Sequence, residues 1–467
     1  MSEGSAEAER VYHRDYLSLF DASGRRECGC GRCHTLETAQ VLFGRGVLTQ
    51  AAEVLARRYG HGRRVWVLSD ERTEAAAAAA LKRSLGRQSV SEIVLPADPK
   101  PQPTIENVER LTQAAGRAHP ELIVSVGGGT LSDLGKRISL NTGIPSWCVA
   151  TSPSVDAFTS AKAAIWFRGY HRAIPARVSE VVVCDLEVIG AVPRELFLAG
   201  LGDLLGKPLA FLDWHLSGLI TGETVCSEAA EYALRSAERA LQAAEQMDRN
   251  RPRAARHLAD AALTSGLLMQ STGSSRPAAG AEHTVAHFWE VHGTVENPAL
   301  DLHGILTGAA SELVLHAYRR LFDRLEDLSL DLEARLERFA REPGWRETLE
   351  PAIMPYAFKM DQEMEEKGEI GRDELRRRMS RFETNRERIG RLARVRLPEL
   401  TDAVDTLDSA GFPFRFEELG APPEKVWLPF PYERYLRSRY TAFDLMYELG
   451  LEEGILDELE GYVDRHP

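Results

Sequence analysis

Long hydrophobic runs are missing from this 467-residue sequence. No apolar stretch approaches the roughly 18 residues that a membrane-spanning helix needs, so no integral membrane segment is expected. The polar first residues lack the apolar centre of a signal peptide, which predicts a cytoplasmic protein with reduced thiols. A long basic stripe is missing too, and the formal net charge is −13, so nucleic acids and anionic membranes are not expected as partners. A small anionic substrate remains compatible with this composition.

Cysteine is also scarce, with six residues in the chain. Three of them share one short segment with a histidine: Cys28, Cys30, Cys33 and His34. Such a group could hold a structural zinc ion in a cytosolic protein. The spacing is tight and no second pair of ligands follows it, so a glycine-rich turn without metal is the favoured interpretation. Whether these four residues bind a second metal stays open.

Short apolar runs alternate with helical patterns over the first 185 or so residues. The runs predicted to be strands are 65–68, 90–97, 122–126, 146–150 and 180–184. This alternation predicts a parallel sheet covered by helices on both faces. Strand signals largely vanish after Pro193, and helical runs occupy the rest of the chain. We therefore expect an α/β domain over residues 1–190 and an all-helical domain over residues 191–467.

Three consecutive glycines, Gly127 to Gly129, follow a predicted strand and precede a predicted helix. Glycine lets backbone N–H groups face an anion, and a helix N-terminus adds about half a positive charge. The run matches neither the GxGxxG fingerprint nor a Walker loop, and any tight turn favours glycine. Its position after a buried strand nevertheless favours a dinucleotide site. Asp70, at the end of an earlier strand, is placed to bind a ribose hydroxyl, while Arg72 could tolerate a 2′-phosphate, so NAD and NADP both remain open.

A second group of polar residues follows the strand predicted at 146–150. Thr151, Ser152 and Ser154 crowd the end of that strand, and Asp156 and Lys162 come next. Open α/β sheets bind ligands beyond the carboxyl ends of their strands. Serine and aspartate are common in any turn, so the functional interpretation depends on the motifs that flank this segment.

Three histidines, His283, His287 and His303, mark the segment that would carry the chemistry. His283 and His287 are four residues apart and share one face of a helix, and Gly304 after His303 allows close approach. Upstream, Asp203 lies in a glycine-rich segment, where it could cap a helix or bind a metal. Two imidazoles and one carboxylate make a three-ligand catalytic metal site. Isolated histidines and aspartates are more often core residues or caps, so spacing alone favours neither interpretation.

Together these motifs resemble the sn-glycerol-1-phosphate dehydrogenase branch of the iron-containing alcohol dehydrogenase and dehydroquinate synthase-like superfamily. The segment GGGTLSDLGK is similar to the cofactor motif GGGxxxDxxK, and TSPSVDAFTS is similar to TAPSMDGYAS of bacterial members. GLGDLLGK resembles the metal-ligand aspartate motif, and GSSRPAAGAEHTVAH followed by LHG is the most specific match. The resemblance covers most of the chain and implies the superfamily's fold, an N-terminal α/β dinucleotide-binding domain followed by an all-α domain.

The resemblance also implies a role for each matched residue. Asp203, His283 and His303 would bind one divalent metal, with zinc expected and nickel or iron suited to the same ligands. Asp156 and His287 would contact the substrate, with Asp203 as a shared contact. The residues that would line NAD or NADP, beside Asp70, are Gly128, Gly129, Thr130, Asp133, Thr151, Ser154 and Ser160.

The activity implied by the resemblance is hydride transfer between a nicotinamide cofactor and C2 of a triose phosphate, which interconverts dihydroxyacetone phosphate and sn-glycerol 1-phosphate. The metal would polarise the carbonyl group, and His287 would supply the proton through water or a substrate hydroxyl. Arg276 and Lys162 are our choices for binding the substrate phosphate, although Arg276 fits a structural turn equally well. A small phosphorylated substrate and a homo-oligomer are the expected partners.

Three other interpretations stay open. Ala157 stands where the family has glycine, which keeps a dehydrogenase of another polyol or polyol phosphate in view. A lyase of the dehydroquinate synthase type is less favoured because it needs many basic groups for its phosphorylated acid. The segment after Asp156 supplies only four basic residues: Lys162, Arg168, His171 and Arg172. A binding protein that lost catalysis is disfavoured by the complete set of predicted metal ligands.

Overall fold

The computed structural model describes residues 10–167 and 170–465, without the side chains of Tyr170 and His171. Arg168, the His171 side chain and the first nine residues, all considered above, therefore lie outside the described part. No helix within that part is both long enough and apolar enough to cross a lipid bilayer.

Contacts within the chain divide it into two compact units. The first comprises Met1–Leu204 and Glu231–Ala278, and the second comprises Leu205–Ala230 and Ala279–Pro467. The first unit contains all the strands found among the described residues, whereas the second is helical. The predicted domain boundary between residues 190 and 191 stays a prediction.

Six parallel strands form the central sheet of the first unit, in the order β3-β10-β7-β6-β4-β5. Two antiparallel hairpins, β1-β2 and β8-β9, accompany it. The strands are β1 (Arg25–Glu27), β2 (Cys33–Thr35), β3 (Gln40–Gly44), β4 (Arg64–Asp70), β5 (Ser89–Leu95), β6 (Leu122–Gly127), β7 (Ser146–Ala150), β8 (Lys162–Phe167), β9 (Tyr170–Pro175) and β10 (Val181–Asp185).

The inner strands of this sheet are buried on both faces. Every residue of β6, β7 and β10 is buried, as in parallel sheets covered by helices on both sides. Alternate side chains supply two separate cores: Val124 belongs to one and Ile123 to the other. The predicted parallel sheet is therefore confirmed, together with the helical second half of the chain. The two hairpins were not predicted.

Helices connect these strands and continue to the end of the described chain. Those up to residue 205 are α1 (Tyr12–Leu17), α2 (Ala51–Tyr59), α3 (Glu71–Thr73), α4 (Ala79–Ser84), α5 (Ile105–Ala118), α6 (Gly129–Thr142), α7 (Leu186–Gly190) and α8 (Arg194–Leu205). Short 3-10 segments occupy Val47–Gln50 and Ala157–Thr159, and a π-helical turn, Glu74–Ala78, lies between α3 and α4.

The longest helices come later in the chain, and most of the later helices belong to the second unit. They are α9 (Lys207–Ile220), α10 (Ser227–Gln246), α11 (Arg251–Thr272), α12 (Ala281–His292), α13 (His303–Asp327), α14 (Leu332–Phe339), α15 (Ala357–Lys367), α16 (Arg372–Ser409), α17 (Phe416–Leu419), α18 (Pro423–Trp427), α19 (Glu433–Leu436), α20 (Ala442–Leu449) and α21 (Glu452–Arg465). Further 3-10 segments are Trp345–Thr348, Met354–Tyr356 and Phe430–Tyr432.

The helical run of the sequence over residues 195–216 forms parts of two helices rather than one. The chain breaks at Gly206, and α9 starts afresh with Pro208 in its first turn. The first turn tolerates proline because its N–H group would have no partner within the helix.

A buried carboxylate joins four helices of the second unit. Asp213 of α9 accepts hydrogen bonds from the Tyr318 hydroxyl of α13 at 2.6 Å and from the backbone N–H groups of Ala281 and Ala442 at 3.0 Å each. Burial raises the pKa of Asp213 to about 7. Because Ala281 is the first residue of α12, this contact fixes the start of the helix that carries His283 and His287.

Candidate active site

The three glycines form the turn from β6 to α6. Gly127 ends β6, Gly128 caps α6 with an extended backbone, and Gly129 is the first helical residue. A Cβ atom on Gly129 would lie 2.8 Å from Val155 Cγ2, and one on Gly128 would lie 3.3 Å from Ser152 Oγ. This turn has little room for side chains. The first N–H groups of α6 have no partner within the helix, which suits an anion.

The hydroxyl-rich segment lies beside this glycine turn. The backbone N–H of Thr151 donates to the Gly127 carbonyl at 3.2 Å, because β6 and β7 are parallel neighbours. The hydroxyls of Ser152 and Ser154 are 2.9 Å apart. The structure thus brings the glycine motif and the predicted hydroxyl group to one edge of the sheet, at the carboxyl ends of the strands.

Asp70 lies at the same edge, at the end of β4 on the other side of β6. Its Oδ1 atom accepts the backbone N–H of Thr73 at 2.7 Å and so caps the helical segment that follows. Asp70 is therefore a helix cap, a role that was not predicted for it. Ribose binding by Asp70 stays a prediction.

The buried lysine that ends the motif GGGTLSDLGK organises the segment after β7. Lys136 of α6 pairs with Asp133 at 2.8 Å and donates to the backbone carbonyls of Ala157 at 2.8 Å and Lys162 at 2.6 Å. It also contacts Ser160 Oγ at 3.3 Å. Asp133 and Ser160 are thus held by structural bonds, whereas the Lys162 side chain is exposed on β8.

Asp156 and Asp203 are linked within the first unit. The backbone N–H of Asp156 donates to Asp203 Oδ2 at 3.0 Å, and Ser265 Oγ donates to Asp156 Oδ2 at 2.7 Å. A Cβ atom on Gly200 would lie 2.1 Å from the Pro153 carbonyl oxygen. Glycine on α8 therefore lets the helix that carries buried Asp203 pack against the Asp156 segment.

Arg276 lies on the loop after α11. That helix ends at Thr272, and Gly273 follows in the left-handed conformation with φ +65°. The backbone N–H of Arg276 donates to Ser274 Oγ at 3.1 Å, and only 5% of the residue is exposed. A buried guanidinium belongs to an ordered polar environment rather than to a solvated turn.

The three histidines meet in the second unit, where His283 and His287 lie on α12 and His303 begins α13. The ring centroids are 5.4 Å apart for His283 and His303 and 4.9 Å apart for His287 and His303. Available ligand atoms of His283 and His303 lie within 4.8 Å of each other. The four-residue spacing on α12 and the position of His303 at the start of α13 therefore bring the three imidazole rings together.

Two glutamates orient these rings. Glu282 Oε1 lies 2.8 Å from His283 Nδ1, while the two oxygens of Glu290 lie 2.9 Å from the Nδ1 atoms of His287 and His303. A carboxylate that accepts the Nδ1–H bond leaves the Nε2 lone pair for a ligand. Neither glutamate was predicted from the sequence, although one adjoins His283 and the other is three residues after His287, on the same helix face.

Glu282 is completely buried, and the missing side chain of Gly206 makes room for it. A Cβ atom on Gly206 would lie 2.8 Å from Glu282 Cγ, and Glu282 Oε1 also accepts the backbone N–H of Gly280 at 2.8 Å. Burial also lowers the pKa of His287 well below its usual value, which favours a neutral imidazole at pH 7.

Another set of possible metal ligands, His287, Glu290 and His303, also has its ligand atoms within 4.8 Å. Both oxygens of Glu290 already lie at hydrogen-bond distance from imidazole Nδ1 atoms. We therefore interpret Glu290 as an orienting group rather than a ligand.

The first unit has a glycine turn and a parallel sheet covered by helices on both faces, and the helical second unit carries histidines oriented by carboxylates. This combination is typical of metal-dependent oxidoreductases that use nicotinamide dinucleotides. Residues 42–193 match the family model for iron-containing alcohol dehydrogenases. The chain belongs to the iron-containing alcohol dehydrogenase family, as its motifs predicted.

Named relatives agree with this assignment. Glycerol-1-phosphate dehydrogenase (NAD(P)+) of Geobacillus stearothermophilus is 29% identical over 301 residues, which cover 64% of this chain and 74% of the relative. The enzyme of the same name from Saccharolobus islandicus is 30% identical over 238 residues, covering 50% and 66% respectively. A solved structure of a probable glycerol dehydrogenase from Sinorhizobium meliloti 1021 has a TM-score of 0.59 at 16% identity, covering 91% of this chain and 98% of that one. The last similarity concerns the fold alone.

Proposed function

We propose that this protein is a metal-dependent, NAD(P)H-linked oxidoreductase that interconverts dihydroxyacetone phosphate and sn-glycerol 1-phosphate by hydride transfer at C2. The observation that carries the proposal is the pair of His283 and His303, each with its Nδ1 atom held by a glutamate. The two curated relatives, both named glycerol-1-phosphate dehydrogenase (NAD(P)+), support the choice of substrate and cofactor.

The metal would be held by His283, His303 and Asp203. Two imidazoles that present Nε2, with one buried carboxylate, fit the donor preferences of zinc, nickel or iron. When bound, the metal supplies Lewis acidity to a substrate oxygen. Glu282 and Glu290 would keep the two imidazole rings in the orientation that such a site needs.

NAD(P) would bind at the carboxyl edge of the sheet. The first turn of α6 after Gly128 and Gly129 offers backbone N–H groups to the pyrophosphate, and the hydroxyls of Thr130, Thr151 and Ser154 would line the same edge. The proposed lining also includes Asp70, Asp133 and Ser160. When bound, the nicotinamide supplies or accepts the hydride.

The substrate would contact Asp156, Asp203 and His287. With its Nδ1–H bonded to Glu290, His287 can exchange a proton at Nε2 with a water molecule or a substrate hydroxyl. Arg276, which is buried and cationic, and Lys162 are the proposed partners of the substrate phosphate. A cytoplasmic location and a homo-oligomeric assembly complete the proposal.

A spectrophotometric assay of metal-replete protein tests this function. It follows the oxidation of NADH and of NADPH with dihydroxyacetone phosphate, and dihydroxyacetone serves as the ketone control without phosphate. We expect phosphate-dependent turnover that is lost in His283→Ala and kept in His316→Ala, a histidine 13 residues beyond His303 on α13 and so about 20 Å along the helix.

The same assay can refute the proposal. Absence of turnover with dihydroxyacetone phosphate, in protein that binds both metal and dinucleotide, would exclude this substrate. Another phosphorylated ketone, or the less favoured lyase reaction, would then be tested. Equal rates with phosphorylated and unphosphorylated ketone would favour a general polyol dehydrogenase.

A further inference from the structure

The cysteine-rich segment forms a compact hairpin in the first unit. Strands β1 and β2 pair so that Arg26 faces His34 and Glu27 faces Cys33. In the turn between them, the N–H of Cys28 donates to the Arg32 carbonyl at 3.1 Å. Gly31 adopts φ +82°, which suits glycine. The turn folds the chain back so that thiols from its start lie near the imidazole of β2.

Three side chains of this hairpin converge. Ligand atoms of Cys28, Cys30 and His34 all lie within 4.8 Å of one another. Cys30 Sγ is 3.3 Å from His34 Nε2. Sulfur and nitrogen ligands of one tetrahedral zinc ion, at about 2.3 and 2.0 Å from the metal, are about 3.5 Å apart. The observed separation is therefore close to the edge of a zinc coordination tetrahedron.

The imidazole of His34 is oriented toward the thiols. Its Nδ1 atom lies 3.0 Å from the backbone carbonyl oxygen of Ser271, near the end of α11, and the residue is 4% exposed. A carbonyl oxygen can only accept, so Nδ1 carries the proton and Nε2 presents its lone pair toward Cys30. This is the outer-shell arrangement that usually accompanies a metal-bound histidine.

The third cysteine of the segment does not join this group. Cys33 is exposed, and its Sγ atom lies 3.5 Å from the Arg25 guanidinium. Burial holds the thiols of Cys148 and Cys184 in the neutral form, because it raises the pKa of Cys148 to about 11 and that of Cys184 further still. The pattern is thus Cys-x-Cys followed by histidine four residues later, and Cys33 offers a matched control.

We propose that Cys28, Cys30 and His34 bind a structural zinc ion that closes the β1-β2 hairpin, whose His34 contacts the Ser271 carbonyl of α11. Thiolate and imidazole are the ligands of structural zinc sites, and three of them leave one tetrahedral position for a further thiolate or a water molecule. This site shares no residue with the proposed catalytic metal site. The proposal replaces the turn without metal that the sequence alone favoured.

Metal analysis of the full-length protein gives the first test. Wild-type protein, saturated with zinc and dialysed, is expected to hold two equivalents per chain. Cys30→Ser and His34→Ala should each hold one, whereas Cys33→Ser should hold two. His283→Ala should lose the other equivalent and keep the hairpin zinc. One equivalent in the wild type that disappears entirely in His283→Ala would overturn the proposal.

Cobalt substitution tests the ligands in the wild-type protein itself, where misfolding of a variant cannot mislead. Thiolate-to-cobalt charge-transfer absorption is expected in wild-type protein and in His283→Ala, because only the hairpin site supplies sulfur. It should be absent from Cys30→Ser. Cobalt-loaded wild-type protein without this absorption, or a disulfide between Cys28 and Cys30 in protein purified under reducing conditions, would refute the site.

Discussion

The sheet edge of the first unit and the histidine group of the second achieve local order by opposite means. At the sheet edge, the glycines of the β6-α6 turn are needed because Cβ atoms would meet Val155 and Ser152. In the histidine group, the imidazoles are fixed by added groups, the carboxylates of Glu282 and Glu290. The first region should be damaged by adding atoms and the second by removing them.

The largest effect is expected from removing an imidazole. In His303→Ala, we expect kcat/KM to fall at least about a thousandfold, since a Lewis-acid metal is worth several kcal/mol in the transition state. Metal content and steady-state rates measured on the same preparation would check this. His316→Ala should match the wild type. Full activity in His303→Ala would remove the histidine group from the chemistry.

Removing the carboxylate of Glu290, which contacts both His287 and His303, should have a smaller effect. We expect Glu290→Ala to lower metal affinity by about 10- to 100-fold, because Glu290 orients the rings without binding the metal. Glu290→Gln keeps one acceptor and should fall between the alanine variant and the wild type. Competition with a chromophoric chelator would measure these affinities. If Glu290→Ala lost metal as completely as His303→Ala does, Glu290 would have to be a ligand.

Adding a methyl group should damage the sheet edge. In Gly129→Ala the new Cβ would lie 2.8 Å from Val155 Cγ2, and such overpacking costs about 1–3 kcal/mol. Urea unfolding and NADH titration by fluorescence should show lower stability and weaker binding. The control is Gly116→Ala on α5, where no atom lies within 4 Å of the new Cβ. Unchanged NADH affinity in Gly129→Ala would argue against cofactor binding at this turn.

The second unit should also show a pH dependence that originates at Asp213. Its pKa is about 7 in the folded protein against 3.8 for an ordinary aspartate, so the folded state binds the extra proton between these limits. Stability from this group is therefore fully present below about pH 4 and is lost as the pH rises toward 7. The loss should be about 1.4 kcal/mol per pH unit between about pH 5 and 7.

Urea unfolding of wild type and Asp213→Asn across that range would isolate the effect. The difference in unfolding free energy between the two proteins should shrink as the pH rises. The side-chain amide of the variant would turn its own donor toward one of the N–H and O–H donors around this site, so an offset of about 1–3 kcal/mol is expected at all pH values. If the difference in unfolding free energy did not vary with pH, Asp213 would not be the group that titrates in this range.

Much of the sheet could be predicted because its strands are short runs of buried, β-branched residues. The strand predicted at 122–126 is Leu122–Gly127, and that at 146–150 is Ser146–Ala150. The hairpins were missed because their strands are short or partly exposed: β1 and β2 have three residues each. Register in such strands depends on tertiary contacts, such as that of His34 with Ser271.

Residues of the candidate site could be predicted from the sequence where their type is rare, and could not be predicted where their type is common. Histidine is sparse, with 13 residues, so a pair on one helix face stands out. Glutamate is frequent on every helix, and Glu282 and Glu290 differ from the rest only in what they contact. Lys136 belongs to the glycine motif, but its burial and its bond to Asp133 depend on the packing of α6 and could not be predicted.

The residues that donate hydrogen bonds to Asp213 are synthesised at different times. Ala442, which donates to this carboxylate, is made 161 residues after Ala281 at the start of α12. At about 5–20 residues per second, a ribosome needs roughly 8–32 seconds to synthesise that interval. During this time the histidine-bearing helix exists without one of the contacts that fix its start. The start of the helix that carries His283 and His287 therefore gains its full set of contacts only after the chain has been synthesised past Ala442.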